Sequence, residues 1–150
     1  QAFATRYAQA KWRSVSARDP LERSAARVAA MTLNAMQHLV TKTALDKVKT
    51  ADAQGIAKLS VLRGEWNPKS DFAWAMLHAE RLIRMLADNA IADVLLEQAK
   101  AHPDRRWLLE AWLDRAEPRC HYELDVITTK GARIIDMLRG RQTADQRASA

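Results

Sequence analysis

The sequence predicts an all-α protein, a single-domain bundle of about five to seven helices joined by short connections. Glycine and proline number four each in 150 residues, while Ala, Leu, Arg, Glu and Lys abound, a balance that favours helix. Apolar residues recur at three- and four-residue spacing along most of the chain. No segment alternates apolar and polar residues between turn signals, as a half-buried strand would. Residues 1–140 read as the bundle and residues 141–150 as a polar, frayed tail.

The first helix is expected over residues 2 to about 16, with Phe3, Tyr7, Ala8, Trp12 and Val15 on its apolar side. Asp19-Pro20-Leu21-Glu22 then marks a helix start, with Asp19 as N-cap and Pro20 in the first turn. The second helix is long, from residue 20 to about 53. Its apolar line runs through Leu21, Ala25, Val28, Ala29, Leu33, Met36, Val40, Leu45 and Val48, and Gly55 stops or kinks it. A short helix over 56–63 carries Ile56, Leu59 and Leu62. Gly64 to Pro68 is a loop, and Asn67 or Ser70 caps the helix after it. That helix presents Phe72, Met76, Ala79, Ile83 and Leu86, and Asp88-Asn89 is expected to break it before a second piece with Ile91, Val94, Leu95 and Ala99. His102-Pro103-Asp104 begins a helix over about 107–117 that Pro118 closes. The last helix carries Cys120, Leu124, Ile127, Gly131, Ile134 and Leu138 as a packing seam that could also support an oligomer, and Gly140 ends it.

The net charge of +6 is concentrated at one end. Residues 1–50 hold nine Lys/Arg against three Asp/Glu, while the remaining two thirds are close to balance. Such a segment suits an anionic partner, or serves as a solvated face. No apolar run reaches the roughly 18–20 residues of a membrane span. The chain opens on Gln1 without a signal-peptide pattern, and a lone cysteine gives no sign of an oxidising compartment, so the expected location is cytoplasmic.

Catalytic and cofactor motifs are missing. The residues three before His38, His78, His102 and His121 are Ala35, Ala75, Ala99 and Pro118, so no Glu-x-x-His pair exists for a di-iron bundle site. There is no His-Glu-x-x-His, P-loop, dinucleotide fingerprint or Gly-x-Ser-x-Gly elbow. Cys120 and His121 are adjacent and diverge by about 100° on a helix. Cys120 sits on the apolar seam and reads as an inert small hydrophobe. No metal, cofactor or catalytic residue is therefore assigned.

Basic residues beside tryptophans remain. Indoles flanked by Arg or Lys can stack on bases while the cations meet phosphates. Trp74, Trp107 and Trp112, inside helices, are expected in the core, whereas Trp66 in its loop, and Trp12 between Lys11 and Arg13, are stacking candidates. The preferred function is a non-enzymatic accessory subunit contacting nucleic-acid backbone within a larger nucleoprotein complex. Its contacts would be Lys11, Arg13, Arg18, Arg23, Arg27 and Trp66. A protein–protein docking module or regulatory subunit is the second reading, and a small bundle enzyme or ligand-binding protein the third. Arg81 and Arg84, with Glu80 one turn before Arg84, are expected to form an ion pair on a wet helix face.

Overall fold

Asp19 starts the second helix, as its sequence context predicts. Its Oδ1 accepts a hydrogen bond from Leu21 N at 3.0 Å, so the carboxylate satisfies one of the donors a helix start leaves open. The computed structural model describes residues 2–50, 61–67 and 71–148, with side chains placed over 3–49, 62–67 and 71–140. Helix α1 (Ala2–Ser16) precedes this cap and α2 (Pro20–Thr50) follows it. A 3-10 turn at Val61–Arg63 precedes the short α3 (Ala73–Leu77) and the long α4 (Ala79–Ala101). A second 3-10 turn, Pro103–Arg105, leads into α5 (Arg106–Thr129) and then α6 (Ala132–Ala148). The described residues contain six α-helices and no strand, so the chain is an all-α helical bundle. The short helix expected over 56–63, with the stop at Gly55 and a cap at Ser70, lies largely outside the described residues.

The long helices α2, α4 and α5 pack on one another, and α1 packs along α2. Their shared core contains Ala25, Val28, Met31, Ala35 and Leu39 of α2, Met85, Ala92 and Leu96 of α4, and Leu109, Leu113, Cys120 and Ile127 of α5. On α5 the buried stripe is Leu109, Leu113, Ala116, Cys120, Glu123 and Ile127, alternating by four and three residues as a helix seam does.

Several expected boundaries move. Pro118 lies inside α5 and does not close it. A proline forfeits the bond to the carbonyl four residues earlier, here that of Asp114, and both residues are exposed, so water can satisfy that carbonyl. Asp88-Asn89 does not break α4, because Asp88 is buried in its packing face and paired from α5. The break falls at His78 instead, between α3 and α4. The seam expected across Cys120 to Leu138 is cut at Gly131, which adopts φ +110°, a conformation L side chains rarely adopt. A Cβ there would also come within 2.8 Å of Leu77 Cδ2 and 2.9 Å of His78 Nε2. Past this turn Ile135 is buried while Ile134 and Leu138 are half exposed. The helix continues through Gly140, since a single glycine costs only about 1 kcal/mol in a helix interior.

Apolar phases shift with these boundaries. The inward side of α1 is Tyr7, Ala10 and Ser14, with Ala10 buried; Trp12 and Val15 face outward, 73% and 81% exposed. Phe72, Met76, Ile83 and Leu86 are exposed, and Leu82, Met85, Asp88, Ala92 and Leu96 face the core in their place. Val40 and Leu45 of α2 are also exposed.

The corrected seam makes a test. Ile127→Ala should lower stability by about 2–5 kcal/mol, the range for a large-to-small change in a core. Leu138→Ala should stay within about 0.5 kcal/mol, as exposed substitutions do. Urea denaturation midpoints read both.

Candidate functional site

Much of the positive charge predicted to meet a partner is used inside the fold. Arg27 on α2 grips Glu117 of α5 through Nε and through Nη2 at 2.9 Å, and Ser24 donates to the same carboxylate. The paired guanidinium is held further in its charged form by Glu117. Arg23 donates from Nη1 to the carbonyls of Ala17 at 2.7 Å and Arg18 at 3.1 Å. It thus satisfies carbonyls at the end of α1, where a cation also suits the helix dipole. Arg13 pairs with Glu22 at 2.9 Å, and Lys100 of α4 approaches the same carboxylate at 3.6 Å. Arg106 forms a bidentate pair with Asp19 at 2.7 and 2.5 Å. The Arg106 hydrogen bonds hold the Asp19 carboxyl at about 2. These contacts bring the end of α1, the starts of α2 and α5, and the end of α4 to one end of the bundle.

The remaining candidates divide. Lys11 and Arg18 are exposed. The Lys11 ammonium lies 5.9 Å from the Tyr7 ring centroid, and no ion pair to Lys11 or Arg18 occurs among the described residues. Trp66 is far along α2 from this cluster, beside Lys47. It is half-buried, donates from Nε1 to Leu62 O at 3.3 Å, packs 5.3 Å from the Phe72 ring and lies 4.1 Å beneath the Lys47 ammonium. Trp66 is thus occupied within the fold, and Trp12 is the open indole of the two. Trp107 departs from expectation as well: it is 63% exposed at the start of α5, next to Arg105 and Arg106. Trp112 donates to Asp88 O at 3.3 Å and Trp74 stacks on His78, 6.4 Å between centroids.

The polar interior was not legible as such. Arg81 and Arg84 reach beyond Glu80 to Glu123 of α5, at 3.0 and 3.5 Å, and Glu123 is 2% exposed. Arg119 of α5 pairs in turn with Asp88 of α4, which is 4% exposed. Cys120 Sγ lies 3.8 Å from that Asp88 carboxylate. Burial, with the Asp88 charge adding to it, pushes the Cys120 thiol up to about 12, far from the thiolate a nucleophile needs.

A hollow of about 300 Å³ opens where α1, α2 and α5 meet, lined by Lys11, Ser14, Arg27, Ala30, Met31, Asn34, His121 and Leu124. It joins two of the predicted cations, Lys11 and Arg27, with Ser14, with Asn34, which sequence reasoning passed over, and with His121, which it weighed only as a metal ligand or a neighbour of Cys120. Asn34 had no motif or partner in the sequence to single it out. Among the described residues no group of three or more His, Cys, Asp or Glu is placed to hold a metal ion, and no helix is long and apolar enough to cross a membrane.

Fold and site together define a class, an all-α bundle domain with a basic, acid-free first helix. Comparison with protein-family models, with curated proteins and with solved structures finds no match to this chain.

The shielded thiol gives a direct check. Cys120 should react with a thiol reagent at neutral pH only as fast as the protein opens, with labelling accelerated by denaturant. Rapid labelling of the folded protein would contradict this placement.

Proposed function

We propose that the chain is a non-enzymatic helical subunit that contacts nucleic-acid backbone through the outer side of α1, within a larger assembly. One observation carries the reading: residues 1–18 hold four cations, Arg6, Lys11, Arg13 and Arg18, and no acid, around an indole that is 73% exposed. Arg23 leaves the contact set because it closes the end of α1, and Arg27 is anchored through Nε and Nη2 to Glu117 of α5, with only Nη1 left over. Of the two stacking candidates, Trp12 takes the role in place of Trp66, which is engaged by Leu62, Phe72 and Lys47. Cations along a helix that also displays an open aromatic ring supply what a strand needs, charge for phosphates and a face for bases. Trp107 at the same end offers a second ring.

A second reading is favoured by Val15, 81% exposed beside Trp12. A bare aliphatic group does nothing for phosphate, whereas aromatic and apolar groups anchor protein interfaces. On that reading the same surface docks on a larger protein.

Salt separates the two. Fluorescence titration with single-stranded oligonucleotides should show affinity falling steeply as salt rises, since phosphate contacts release counterions. Lys11→Gln with Arg18→Gln should reduce the slope by up to about two units without unfolding the chain, as neither side chain forms an ion pair among the described residues. Trp12→Ala should weaken binding by about 1–3 kcal/mol. Absence of any affinity at low salt would overturn the nucleic-acid reading and put protein docking in its place.

A further inference from the structure

We infer that the hollow between α1, α2 and α5 is a seat for a single phosphate group, built from Lys11, Arg27, Asn34 and His121. The inference deepens the reading of α1 as a nucleic-acid surface and rests on it for the source of the phosphate, a backbone phosphodiester.

The lining has the chemistry an oxyanion requires. Lys11 comes from α1, Arg27 and Asn34 from α2, and His121 from α5, so donors converge from three helices. No carboxylate lines the hollow. Glu117 acts on both Arg27 and His121. Its oxygens are already taken by Arg27 Nε and Nη2 and by Ser24 Oγ. That grip leaves Arg27 Nη1 unused, with N–H groups available to a ligand. Asn34 and His121 make no hydrogen bond or ion pair among the described residues, so the carboxamide and the imidazole are also available as donors.

The floor is apolar, formed by Ala30, Met31 and Leu124. A partly desolvated seat strengthens charge-assisted hydrogen bonds relative to open water. The lining pairs two cations, Lys11 and Arg27, with the donors of Asn34 and His121 and with no carboxylate, a set that favours an anion over a cation. The hollow opens beside Lys11, the neighbour of Trp12 in sequence. The two residues diverge by about 100° around α1, so a strand that uses both wraps part of the helix.

Titration of a fluorescent oligothymidylate at low salt, with wild type, Asn34→Asp and His121→Gln, tests this, together with inorganic phosphate followed by amide NMR shifts. Asn34→Asp should weaken oligonucleotide binding more than tenfold and His121→Gln severalfold, while circular dichroism stays unchanged. Millimolar phosphate should shift the amides of Asn34 and His121 in the wild type and not in Asn34→Asp. Oligonucleotide binding that both substitutions leave intact would overturn the seat while sparing α1 as the interface. Phosphate shifts without oligonucleotide affinity would keep an oxyanion seat but remove the backbone as its source, overturning the inference as stated. Neither signal would dispose of both ideas.

Discussion

Asp88 on α4 and Glu123 on α5 sit in the seam between those helices, and an unpaired carboxylate in such a place costs several kcal/mol. Each helix supplies the other's counter-charge. Arg119 of α5 neutralises Asp88, and Arg81 and Arg84 of α4 neutralise Glu123. The exchange works only in one register of the two helices, because a shift of one residue would take both acids away from their arginines. Arg27 and Glu117 extend the same logic to α2 and α5, and Arg106 and Asp19 to the end where four helices meet. Cys120, buried beside Asp88, inherits its inertness from this arrangement. The basic residues of α4 and α5 named here are therefore structural, and Arg27 of α2 is held in place by Glu117. On α1, by contrast, Arg6 and Lys11 have no carboxylate partner among the described residues, and this division of cations shapes the functional reading.

The helical class was readable because it depends on composition and spacing summed over many residues, which no single exception changes. The Asp19 cap and the Pro103 turn were readable because their chemistry is local. Errors arose where tertiary pairing overrides a local rule. Asp88 looks like a helix breaker until Arg119 reaches it, and Glu123, which no motif singles out, pairs with two arginines of α4. Once acids are allowed in the core stripe, the phase of α4 turns, and Ile83 and Leu86 move outward while Met85 and Ala92 move in. Pro118 misled in the opposite way, because a forfeited hydrogen bond on a wet face costs too little to end a well-packed helix. Gly131 was expected as a close-packing residue within a helix. It is a turn, required by its positive φ and by the contact with His78.

The candidate site was legible in part. Charge asymmetry pointed to the first thirty residues, and Lys11 and Arg18 stand open there. Arg13, Arg23 and Arg27 carry the same charge in sequence, and nothing local distinguishes a cation that meets solvent from one that meets Glu22, a helix end or Glu117. Partners for Arg27 and Arg106 lie ninety and eighty-seven residues away, beyond any spacing rule. Exposure of Trp12 and Trp107, against burial of Trp66 under Lys47, likewise depends on which side of each element packs.

A double-mutant cycle on Arg81 and Glu123 tests the reciprocal arginine exchange most directly. Stabilities of Arg81→Gln, Glu123→Gln and the double variant, measured by urea denaturation, give the coupling between the two side chains. The account predicts a coupling of at least about 1 kcal/mol, as for a buried charge-assisted pair. Effects that add to within about 0.3–0.5 kcal/mol would show the two residues to be independent and would contradict the claim that these pairs set the register of α4 and α5.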